Sequence, residues 1–279
     1  MKLGASDCCK DNLDGKGPLR RVKKGGSDEP SFFSMVEFLP TSEQTQSTRM
    51  NRKSRSGIII SSKALWDQYR SKTEKDMRHA QIPYREMYLL YGVLLVELKR
   101  IPEAQEALKK GLRWNPVCFH MMSEYIETYK MSGDLEQFFI LTKEAFKIAF
   151  RPTDLARCYR NLGYYFVEKK LWPEAIACNL LSLEYDKEAK AAQSELYYIN
   201  NATDGKIPEP SIDQTREYSK KYGFPFGPDR DILGLSYAYG KHFLEEKEPN
   251  AARYFLSITY GLTGDPEIKE IIEKLSQEE

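Results

Sequence analysis

Histidine is scarce in this chain: among 279 residues there are three, His79, His120 and His242, and none lies in a metal-binding or catalytic pattern. No HExxH, CxxC, GxSxG, P-loop or strand-borne GxGxxG is present. Nothing therefore nominates a nucleophile with its base, and the sequence is read as non-enzymatic, with no cofactor. The five cysteines fall at irregular spacing and build no disulfide framework. Cys118 and His120 are close in sequence, but ligands two positions apart on a helix do not face one site, so no metal is expected. There is no apolar run long enough to span a bilayer, which argues against a membrane partner. The first nine residues lack the apolar core of an export signal, and a cytoplasmic location is expected. Strand-type alternation is also missing.

What is present divides in two. Residues 1–57 hold eleven Lys/Arg against seven Asp/Glu and few aliphatics, and they read as a flexible basic N-terminal arm. Its clusters Arg20-Arg21-Val22-Lys23-Lys24 and Arg49–Arg55 could touch phosphate, but they lack interleaved aromatics, and solvated linker is the plainer reading. One apolar island, Phe32 to Leu39, has apolar residues at helical spacing (32, 35, 36, 39). It is either a docking motif or a segment that tucks against the chain's own helices.

From residue 58 to 279 the signal is helical, with Ser61-Ser62 placed to cap a first helix that ends before Pro83. Tyr88, Tyr91, Gly92, Leu95, Ile101, Ala104, Leu108 and Pro116 form one set of positions. Tyr159, Leu162, Gly163, Phe166, Trp172, Ala175, Asn179 and Lys187 form a second with identical steps. In each, a helix carrying a small Gly is followed by one carrying a small Ala, so that two helices can pack closely across a tight turn. Pro102 and Pro173 fall at helix starts, where a missing N–H costs little.

This pattern resembles the tetratricopeptide repeat (TPR), a helix–turn–helix of 34 residues. The match is good at 84–118 and 155–188. Residues 119–154 read as a degenerate copy without the Gly, with a short insertion near Phe150-Arg151-Pro152, and 233–266 as a further copy. A fourth, distorted repeat with a long inner loop is expected between 188 and 228. The expected fold is all-α: an α-solenoid of about four to five TPR-like repeats, with a terminal capping helix after Asp265-Pro266.

The resemblance implies a scaffold for protein–protein interaction, of bacterial type, binding a protein or peptide partner in a concave groove. The family's inward positions carry over to Glu86, Leu89, Val93 and Val96; to His120, Ser123, Glu127 and Lys130; and to Arg157, Arg160, Asn161 and Tyr164. Of these, His120, Glu127, Arg157, Arg160, Asn161 and Tyr164 are the candidate partner-binding residues. Arg157, Arg160 and Tyr164 suit a carboxylate or acidic peptide, or else are ordinary surface positions paired with Glu127 or Glu168. Leu89 and Val93 stand where chaperone-binding members carry Lys and Asn, so that mode is not expected. Two other readings are nucleic-acid binding led by the basic arm, and a sensor whose groove closes on a peptide signal.

Overall fold

The computed structural model describes residues 83–277. The N-terminal arm, the Phe32–Leu39 island, both basic clusters and the helix expected before Pro83 lie outside the described residues. Eleven α-helices and one 3-10 turn lie within them, and no strand does. They are α1 (Tyr84–Glu97), α2 (Ile101–Trp114), α3 (Phe119–Ser132), α4 (Leu135–Ala145), α5 (Pro152–Glu168) and α6 (Trp172–Tyr185). Then follow α7 (Lys190–Ala202), α8 (Ile212–Tyr222), α9 (Arg230–Glu245), α10 (Pro249–Thr263) and α11 (Pro266–Gln277). Four helix–turn–helix pairs result: α1/α2, α3/α4, α5/α6 and α9/α10.

Glycine sets the closeness of three of these pairs. A Cβ at Gly92 would stand 2.5 Å from Leu108, one at Gly163 2.5 Å from the Asn179 amide, and one at Gly240 2.7 Å from Leu256. Ala104, Ala175 and Ala252, at one register position on the second helices, are fully buried. In α3/α4 the equivalent of the glycine is Ile126, and the residue facing that position in register is Thr142 rather than Leu or Asn; both are buried. Phe138, fully buried, replaces the small Ala in the same pair.

The turns inside the pairs are also alike. Lys99, Lys170 and Lys247 occupy equivalent positions at φ of 59°, 58° and 58°, and Gly133 takes that place in α3/α4 at φ 77°. In each turn two amides fold back onto the last helical carbonyls, as Lys170 N to Val167 O (2.9 Å) and Leu171 N to Phe166 O (2.8 Å). That is a left-handed helix stop, the conformation in which Gly is normally favoured.

After α6 the chain leaves the simple alternation. α7 lies against α5 and α6, in the place of the next first helix. Its own second-helix positions are Gln193, Tyr197 and Asn200, all exposed, so the row ends on a polar surface as an array end should. α8 is not its partner. Instead α8 packs on α6, where the Tyr222 hydroxyl donates to the buried Glu174 carboxylate at 3.0 Å and Lys143 donates to the Tyr222 carbonyl. The expected distorted pair between 188 and 228 is thus two helices on different neighbours. The connector that follows buries Phe224 beside Phe166 and hydrogen-bonds to Tyr159 through Pro225 and Gly227. α10 then reaches the start of α5, where Gly261 lies against Pro152. α11 closes the last pair through Ile268 and Leu275.

Candidate functional site

α1, α3, α5 and α7 are the first helices of successive units, and they set which side chains share a surface. The structure sorts the expected inward positions into two groups. Leu89, Ser123 and Arg160 occupy the same register position and turn toward neighbouring helices. Leu89 packs against the Leu108, Met121 and Tyr125 cluster, and Ser123 is buried with its hydroxyl unpartnered. The Arg160 guanidinium donates to the Ser182 hydroxyl at 3.2 Å and to Asp186 at 3.4 Å. Burial pulls its pKa down, with the Asp186 carboxylate opposing.

Val96 packs against the Leu95, Ala104 and Ala107 cluster, whereas His120, Glu127, Lys130, Arg157, Asn161 and Tyr164 stay at least partly exposed. His120 is exposed, its Nε2 3.9 Å from Glu124, and the Arg157 guanidinium reaches the same carboxylate oxygen from α5 at 3.8 Å. Glu127 is 3.7 Å from Lys130, whose ammonium lies 4.2 Å above the Tyr164 ring. Tyr164 packs edge-on against Phe138 at 5.7 Å. Burial and the nearby Glu168 carboxylate push its hydroxyl pKa up. Asn161 is half-buried beside them.

Helix α7 completes this face with two residues that the candidate set leaves out. Tyr198 stands 34 residues after Tyr164, in the same register position, and is 52% exposed. The repeat length itself was the signal that could have found it. Glu195, half-buried, has its pKa raised by desolvation, with Lys130 lowering it and the Glu168 carboxylate raising it. The face of α3, α5 and α7 therefore carries two tyrosines and four carboxylates, Glu124, Glu127, Glu168 and Glu195. Against these stand the cations of Lys130 and Arg157.

Among the described residues, no group of three His, Cys, Asp or Glu is placed to hold a metal ion. Cys118 is buried while His120, two positions on, points into solvent. Cys158 and Cys178 are fully buried, and desolvation pushes both thiols well up in pKa. They are core groups, not poised nucleophiles. No helix among the described residues is long and apolar enough to cross a membrane.

The repeated Gly–Leu or Gly–Asn approach, the buried alanines and the shared turn make this an all-α, TPR-like helical-repeat protein. No protein-family model matches the chain. No curated protein sequence matches it either. Among solved structures it is similar to pilF of Pseudomonas aeruginosa, at 14% identity over 70% of this chain and 90% of that one, with a TM-score of 0.38. It is also similar to a thermophilic TPR protein of Thermus thermophilus, at 12% identity over 69% of this chain and 99% of that one, with a TM-score of 0.35.

Proposed function

We propose that this protein is a non-enzymatic scaffold that binds a segment of another protein along the face of α3, α5 and α7. The observation that carries this reading is the pair Tyr164 and Tyr198, one repeat apart on helices that touch, both with ring surface open to solvent. Aromatic rings fixed on rigid helices supply contact area at small entropic cost, and a few such anchors dominate binding at most interfaces. Arg157 adds a cation only weakly held by Glu124, at 3.8 Å, and so available to a partner's carboxylate or carbonyl. His120 and Glu127 flank these anchors, and Asn161 lies between them in register. Arg160 supports the face from behind through Ser182 and Asp186.

The experiment is capture from native lysate on the full-length chain, compared with a Tyr164→Ala/Tyr198→Ala variant and an Arg157→Ala variant. A protein retained by the parent and lost from the tyrosine variant supports the reading and identifies the partner. Equal retention by all three, with the variants folded by circular dichroism, moves the binding surface elsewhere.

A further inference from the structure

The α1/α2 pair carries a surface distinct from the α3/α5/α7 face. Lys109, Lys110 and Arg113 lie exposed in the last two turns of α2. None makes an ion pair among the described residues, whereas Arg85 and Arg100 of the same pair are held by Glu86 and Glu103. A helix C-terminus is equivalent to about half a negative charge, which one cation offsets. Glu106, one turn earlier, offsets a second. The third is surplus, and Lys109 repels Arg113 across an i,i+4 step, which weakens the helix. Helix stability alone therefore does not explain the cluster.

Trp114 follows directly in sequence. Lys110, Arg113 and Trp114 stand at i, i+3 and i+4, on one side of α2. The Tyr84 ring stacks on the indole, with centroids 4.3 Å apart and 20° between the planes. Trp114 is nevertheless 46% exposed, and with one face covered that exposure is the other face and the edge. Tyr84 thus holds the indole in place, so little freedom is lost when a second flat group stacks on it. Cations for phosphates beside an aromatic face for a base are the two elements of single-strand recognition. An acidic peptide would use the cations and leave the ring bare.

We infer that the C-terminal half of α2 binds single-stranded nucleic acid, with Lys109, Lys110 and Arg113 on the phosphates and a base stacked on Trp114. The inference goes beyond the proposed binding function and does not rest on it, since the two use different helices.

The test is fluorescence anisotropy of a labelled oligouridylate of about 12 nucleotides, titrated with the full-length protein at about 50 mM salt. Binding is expected for the parent. Lys109→Gln/Lys110→Gln/Arg113→Gln changes only exposed side chains and should weaken it by about tenfold. The slope of log affinity on log salt should become shallower by about 2, because each phosphate contact on a single strand contributes about 0.7. The oligonucleotide should also quench tryptophan fluorescence in the parent. Trp114→Phe keeps a ring against Tyr84 and should lose that quenching, with Trp66 and Trp172 remaining as controls. Absence of an anisotropy change overturns the inference, and undiminished binding by the triple variant overturns it by moving the contact elsewhere in the chain. Quenching that survives in Trp114→Phe removes the stacked base. Equal competition by a polyglutamate peptide or by anionic lipid vesicles replaces the inference with a plain polyanion site.

Discussion

The Tyr159 hydroxyl accepts a hydrogen bond from the Gly227 amide at 2.7 Å, and it donates in turn to the neighbouring Pro225 carbonyl at 3.1 Å. Tyr159 is a repeat-signature residue of α5, fully buried among Phe146 and Tyr185, and Gly227 belongs to the connector ahead of α9. One core side chain therefore satisfies two backbone groups of a segment 68 residues further along the chain. This contact fixes where the C-terminal pair departs from the row of first helices. Burial pushes the hydroxyl pKa far up, so the group stays a neutral donor and acceptor.

Tyr159→Phe keeps the ring packing and leaves the Gly227 amide and Pro225 carbonyl without this partner. The expected loss is about 1–3 kcal/mol, the cost of stranding buried polar groups. Denaturant unfolding should show the lowered midpoint, and limited proteolysis should show faster cleavage at residues 223–228. An unchanged midpoint would mean that water reaches the connector and replaces the hydroxyl.

Glycines on one helix separate close approach from mere helix weakness. A Cβ at Gly240 would press on Leu256 at 2.7 Å, whereas one at Gly234 on the same helix meets nothing within 4 Å. Gly240→Ala should destabilise by about 1–3 kcal/mol through overpacking. Gly234→Ala should stabilise by about 0.5–1 kcal/mol, since only helix propensity changes. Thermal melts of the two variants, moving in opposite directions, are the check. Gly240→Ala matching Gly234→Ala would show that α9 and α10 are free to separate.

The four turns offer a second backbone test. Lys99, Lys170 and Lys247 hold left-handed φ where the equivalent residue of α3/α4 is Gly133. Replacing one such lysine by Gly removes a Cβ penalty of about 1–2 kcal/mol. It also adds unfolded-state entropy worth about 0.4–1 kcal/mol. Lys170→Gly should thus raise stability by a few tenths to about 1 kcal/mol, while Gly133→Lys should lower it. A fall in stability for Lys170→Gly would show that the lysine stem contributes packing that outweighs the strain.

What the sequence made legible and what it did not can be read from these residues. The step of 71 between Gly92 and Gly163 located two pairs, because a close helix approach needs a missing Cβ at a fixed place. The α3/α4 pair was harder to recognise, since Ile126 stands at the Gly position and the compensation sits on another helix, at Thr142. The lysine turns carried no individual signal, because Lys is not a residue that favours left-handed φ. Helix α8 was misplaced for a different reason. Its position depends on Glu174 and Lys143, contacts 48 and 79 residues distant that no local pattern encodes. On the candidate face, register alone treated Arg157 and Arg160 alike, although a helix turns them toward different neighbours.

Glu195 links the face to pH. Its folded pKa is raised, first by desolvation, with Lys130 opposing and Glu168 reinforcing. A carboxyl group with a raised folded pKa binds more protons in the folded state, so stability falls as pH rises from the usual carboxylate range through the folded pKa. Glu195→Gln removes that penalty. The melting temperature of the variant should exceed that of the parent at pH 7, and the difference should shrink as pH is lowered toward 4. A difference that is constant with pH would place Glu195 in full solvent contact.

Arg157 and Arg160 are expected to respond in opposite ways to the same substitution. Arg160 is the less exposed of the two and holds both Ser182 and Asp186, tying α5 to the end of α6 and the turn into α7. Arg160→Ala leaves Ser182, which is fully buried, and a partly buried carboxylate without their donor, and should cost about 1–2 kcal/mol. Arg157 has one contact, to Glu124 at 3.8 Å, and Arg157→Ala should leave stability within about 0.5 kcal/mol. Binding should show the reverse. Loss of Arg157 removes a group that faces the partner, so captured protein should decrease while the melt is unchanged. Loss of Arg160 should weaken capture only to the extent that the fold is weakened, and lowering the temperature should restore it. If Arg160→Ala abolishes capture in a protein of normal stability, its guanidinium leaves Asp186 for the partner, and the division between support and contact on α5 is wrong.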